Sequence, residues 1–111
     1  MARLDSADYA QHSLRHNNER IRSMASSEVA IANLVYRYAE LIDSGDLEAT
    51  SRLFAHARVY MGPELGEVGA DKVLELWRKS FILYENGSPR CKHVITNPII
   101  EVDEEAGRGS C

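Results

Sequence analysis

Apolar positions fall into a helical rhythm just after residue 26. Ile31, Leu34, Val35, Tyr38 and Ile42 recur at three- and four-residue spacing and share one helical face. Ser26 and Ser27 precede the run as N-caps, and Glu28 suits the positive end of the helix dipole. Gly45 closes it, since glycine takes the left-handed C-cap conformation without a steric cost. Asp46 is read as the cap of a second, short helix reaching about Ala55, with Leu47, Leu53 and Phe54 inward. Arg58 to Met61 reads as a short strand, and Gly62, Pro63 and the stretch from Gly66 to Gly69 as a loop. A third helix is predicted from about Asp71 to Leu83, with Leu74, Trp77 and Phe81 inward. Glu85 to Pro89 reads as a turn. Cys91 to Asp103 is the strongest strand signal, carrying Val94, Ile95, Ile99, Ile100 and Val102. Pro98 inside it implies an edge position or a bulge. Glu104 to Gly107 predicts a hairpin turn into a further strand.

The first 23 residues lack this order. Leu4, Tyr9, Leu14 and Ile21 repeat at neither helical nor strand spacing, among Ser, Asn, His, Arg and Gln. Residues 1–25 are therefore expected to be a disordered extension, and residues 26–111 the folded domain. Met24 stands at the seam and is an alternative start of translation. His12 and His16 lie four residues apart, but with no helix expected and no glutamate in the zinc-protease pattern, no metal site is read there.

Composition narrows the classes. With 44% hydrophobic and 27% charged residues the chain reads as globular, and its 111 residues make one domain. Its apolar runs are too short to span a bilayer, and its polar opening leads us to expect no secretory leader. The net charge of −4 disfavours a nucleic-acid partner held by phosphate neutralisation. Cys91 and Cys111 read as free thiols in a reducing cytoplasm. Asn86-Gly87-Ser88 matches a glycosylation sequon, but its turn composition is the preferred reading.

Few residues could carry chemistry. Asp43 stands where the first helix ends, beside Leu41 and Ile42; it is either a solvated helix-end carboxylate or a partly buried base. Tyr36 lies seven residues before it, on the same side of the helix. Tyr38 lies five before it, about 140° away, and shares a pocket with Asp43 only if the helix ends or bends near Ile42. Strand alternation puts His93, Ile95 and Asn97 on one face. His93 is either a satisfied core or edge histidine, or half of an Asp–His pair. In such a pair the carboxylate fixes the tautomer and the imidazole moves a proton near neutral pH. No Ser-His-Asp arrangement and no glycine-rich phosphate loop is readable.

Taken together, the block from Ile31 to Asp46 (IANLVYRYAELIDSGD), Leu53-Phe54, Gly69-Ala70-Asp71 and Lys92 to Asn97 (KHVITN) resembles the SnoaL-like branch of the nuclear transport factor 2-like superfamily. The resemblance covers about Glu28 to Asp103. It implies an α+β cone: three helices packed on a strongly curved, mainly antiparallel sheet around an apolar pocket. Members of the superfamily include scytalone dehydratase, a bile-acid dehydratase, a dehydrochlorinase, polyketide cyclases and ketosteroid isomerase. By this resemblance Asp43 and His93 match the acting pair, and Tyr38 matches a pocket tyrosine. Phe54, Tyr60, Trp77 and Asn97 are expected at the pocket. The implied activity is proton abstraction without a cofactor or metal, giving elimination or isomerisation of a small apolar or polycyclic substrate. A homo-oligomer in the cytoplasm is expected, with neither nucleic acid nor membrane as partner. The alternative is a non-catalytic binding or assembly module, like the small subunits of ring-hydroxylating dioxygenases. Members continue past Glu101-Val102-Asp103 with further long strands, so the cone is expected to be incomplete at its C-terminus.

Overall fold

The computed structural model describes residues 14–15 and 26–111. The expected disorder of residues 1–25, the spacing of His12 and His16 and the seam at Met24 fall outside the described residues, apart from Leu14 and Arg15. The described chain forms α1 (Ser27–Ser44), α2 (Leu47–Arg52), β1 (Val59–Tyr60), β2 (Glu67–Val68), α3 (Ala70–Ser80), β3 (Glu101–Asp103) and β4 (Arg108–Ser110). The class is α+β, with both small sheets antiparallel.

Helix α1 begins where its cap chemistry places it: the Ser26 hydroxyl oxygen accepts from the Val29 N–H at 3.3 Å. It ends at Gly45, whose φ is 83°; the Gly45 and Asp46 N–H groups donate back to the Ile42 and Leu41 carbonyls. Asp46 immediately caps α2, accepting from the Ala49 N–H at 2.8 Å. The C-cap of α1 and the N-cap of α2 are thus adjacent residues, which sets a tight corner between the helices. Helix α3 packs against α2, α2 against α1, and β3 against α1.

The core gathers at this corner. Ala39, Ile42, Leu47 and Val73 are its buried apolar residues, and Ile42 is 0% exposed. Two buried polar residues are satisfied locally: the Thr50 hydroxyl donates to the Asp46 carbonyl at 2.7 Å, and the Ser51 hydroxyl to the Glu48 carbonyl at 2.8 Å. Arg78 on α3 pairs with Glu48 on α2.

Three expectations change. The glycine-rich loop after β1 contains a strand: Val59 pairs with Val68 and Tyr60 with Glu67. Helix α3 stops at Ser80, because Phe81 turns extended (ψ 130°) and sets its ring 6.3 Å from Trp77. The long strand from Cys91 shrinks to Glu101–Asp103, and among the described residues no strand pairs with 91–100. Asn97 adopts φ 52°, which breaks the alternation, and Pro98 has no N–H to give a ladder. The hairpin after Asp103 forms as expected, with Glu101 opposite Ser110 and Asp103 opposite Arg108.

Candidate active site

Asp43 lies in the last turn of α1 and is buried, with 7% of its surface exposed. Burial of a carboxylate requires donors, and both come from one residue fifty positions away. The His93 backbone N–H donates to Asp43 Oδ2 at 2.8 Å, and His93 Nδ1 stands 2.6 Å from Asp43 Oδ1. The His93 hydrogen bond holds the Asp43 carboxyl below the usual carboxylate range, helped by the charge of Lys92 and opposed by burial. An ionised carboxylate only accepts hydrogen bonds, so Nδ1 of the neutral imidazole carries the proton and Nε2 keeps the lone pair. The His93 side chain remains 41% exposed. A base held on its inner side and open on its outer side can exchange a proton with a bound molecule.

Tyr38 completes the group. Its ring meets the His93 ring edge-on, with centroids 5.8 Å apart. Tyr38 and Asp43 diverge around α1, and His93 spans that angle by touching both. Burial, and then the Asp43 charge, push the Tyr38 phenol above its ordinary value. Tyr38 therefore stays a protonated donor through the neutral range. Tyr36 faces outward and is 46% exposed.

Beside Tyr38 lies an apolar hollow of about 310 Å³ lined by Leu34, Val35, Tyr38, Leu53, Phe54 and Ala57. Trp77 braces its wall: its ring lies 5.8 Å from Phe54 and 6.4 Å from Tyr38. Phe54 meets Tyr38 edge-on at 6.0 Å. Of the residues expected at a pocket, Phe54 and Trp77 thus stand with Tyr38, Asp43 and His93. Tyr60 is 68% exposed on β1, away from this lining, and Asn97 is exposed at its left-handed kink. Leu34, Val35, Leu53 and Ala57 join the lining beyond the residues expected there. Leu34 and Val35 were legible only as part of the apolar face of α1. Among the described residues no cluster of three metal-binding side chains occurs, and no helix is long and apolar enough to cross a membrane. Cys91 and Cys111 are unbridged and exposed.

Compared with known families, residues 23–111 match the model of the SnoaL-like domain. The chain belongs to the SnoaL-like family. That family lies in the nuclear transport factor 2-like superfamily, whose α+β class agrees with the helices and small antiparallel sheets described above. No curated protein and no solved structure matches the chain. In this SnoaL-like domain the aromatic cluster, the hollow and the Asp43–His93 contact lie side by side through Tyr38.

Proposed function

We propose that this SnoaL-like domain is a proton-transfer enzyme, a lyase or isomerase of dehydratase type acting on a small apolar or polycyclic carbonyl compound. The observation that carries the reading is the double hold of Asp43 on His93, made by a buried carboxylate on a half-exposed imidazole. Substrate would lie in the hollow, whose volume suits a compact ring system and whose lining is aliphatic and aromatic. His93 Nε2 removes the proton next to the carbonyl, and the ionised Asp43 stabilises the imidazolium that forms. Tyr38 donates a hydrogen bond to the oxygen on which charge develops. For elimination, the electrons of the broken C–H bond form the new double bond. The β-hydroxyl leaves as water after taking the proton back from His93. No further reactant is needed, so acid–base side chains suffice and no cofactor is required. The finer architecture belongs to the same reading: the helices and hairpins form part of the family cone, in a homo-oligomer.

The test is a panel of cyclic β-hydroxyketones, followed by enone absorbance and by deuterium uptake from solvent next to the carbonyl. Turnover of one of them should fall about 10²–10⁴-fold in His93→Ala and in Asp43→Asn. It should fall roughly 10²-fold in Tyr38→Phe, which loses the hydroxyl alone. Unchanged turnover in both His93→Ala and Asp43→Asn would sink the proposal. Saturable binding of the same compounds with no deuterium uptake would instead point to a non-catalytic binding module.

A further inference from the structure

Asp43 and His93 are brought together across fifty residues, so the chain between them has to be led back to the end of α1 before the two hydrogen bonds can form. We infer that the turn from Tyr84 to Ser88, seated on Gly45, is the device that positions this pair, with Gly45 and Asn86 as positioning residues. The inference rests on the reading of Asp43 and His93 as the acting pair.

The seat is backbone on backbone. A Cβ on Gly45 would overlap the Gly87 carbonyl oxygen and stand 3.0 Å from the Gly87 carbonyl carbon and 3.3 Å from Ser88 Cα. None of these atoms can swing aside as a side chain would. The left-handed φ of Gly45 alone would tolerate asparagine. The turn packed against it tolerates no side chain.

The turn is rigid in its own right. Asn86 Oδ1 accepts from the Ser88 N–H at 3.2 Å and from the Ser88 hydroxyl at 3.0 Å. The Gly87 N–H donates to the Tyr84 carbonyl at 2.8 Å, and the Tyr84 N–H to the Ser88 carbonyl at 3.0 Å. Arg90 then redirects the chain at φ 54°, and its guanidinium lies 4.3 Å over the Tyr84 ring.

Both arms from the seat are short. Asp43 is two residues before Gly45, and His93 is six after Gly87. A displacement of the turn by about an ångström would carry both His93 donors away from the two carboxylate oxygens, where hydrogen bonding weakens steeply.

The experiment uses the full chain, labelled with 15N, with the imidazole neutral. It records the Nδ1–H resonance of His93 and the exchange of the His93 backbone amide. Gly45→Ala and Asn86→Ala, each checked for parental helix content, should lose the Nδ1–H resonance and speed amide exchange. Asn86→Asp keeps an oxygen that accepts from Ser88 and should retain both signals. A merely structural weakening of the turn would not be rescued in this residue-specific way. Gly45→Ala also strains the cap of α1, so if it fails to fold, Asn86→Ala on the exposed turn decides. A folded Asn86→Ala that keeps the resonance and the slow exchange overturns the inference. The catalytic reading fails by a different result, unchanged turnover in His93→Ala while the parent protein still shows the resonance.

Discussion

A carboxylate that is 7% exposed must find its donors inside the protein, and Asp43 finds both on His93. Its carboxyl is held below the usual range, so the folded state binds that proton less readily than the unfolded chain. The contribution is fully present above the unfolded value of about 4 and is lost as pH falls through the folded one. Urea melts from neutral to acid pH should show stability falling with pH, and a shallower fall in Asp43→Asn. Glu48 and Glu75 are also lowered, by Arg78 and by Lys79 with Lys72, so the difference between the two proteins isolates Asp43. The phenol of Tyr38 gives a second reading of the same charge. Asp43→Asn should bring its ionisation, followed by 13C resonance of the tyrosine ring, back toward the ordinary value of about 10. The return should be incomplete, because burial is the larger cause. No movement at all would mean that Tyr38 does not feel Asp43. Sequence alone left Tyr36 and Tyr38 both open, since helical angles favour Tyr36. The family resemblance names Tyr38, and the place of His93, fifty residues on from Asp43, sets its ring against Tyr38.

Local chemistry made the helices legible. Ser26, Gly45 and Asp46 cap as their side chains or lack of one dictate. Removing the side-chain oxygen in Ser26→Ala or Asp46→Ala should each cost about 1 kcal/mol in denaturant melts, with the larger loss at Asp46, which also sets the corner into α2. The segment from Cys91 to Ile100 carries a strand signal because β-branched residues dominate it. Strand propensity reports fitness for a pleated surface and not the existence of a partner. Among the described residues no strand pairs with it, Asn97 turns left-handed and Pro98 withholds a donor. The short β2 was hidden for the opposite reason: Glu67-Val68 is too brief to show a period, and pairing with β1 alone makes it a strand.

At the scale of the molecule, the described residues bury four apolar side chains around the corner of α1, α2 and α3. Stability should therefore concentrate there. Ile42→Ala, at a site with no exposure, should cost about 2–5 kcal/mol, a large share of a small domain's total. Val94→Ala, at 83% exposure, should change the melting midpoint little. The α+β class was implied by the family resemblance, with which the helical periods and the strand signals agree. The arrangement of the hairpins was not, because it depends on contacts distant in sequence such as Ile31 against Gly109. What unites the scales is a corner of helices that buries one carboxylate and offers it a single histidine. The most direct test is the tautomer of His93, read from the two ring nitrogens by 15N resonance in the neutral imidazole. The expected result is a proton on Nδ1 in the parent chain and a shift toward Nε2–H in Asp43→Asn. A parent chain with its proton on Nε2 would contradict the pairing of Asp43 with His93 as a working base.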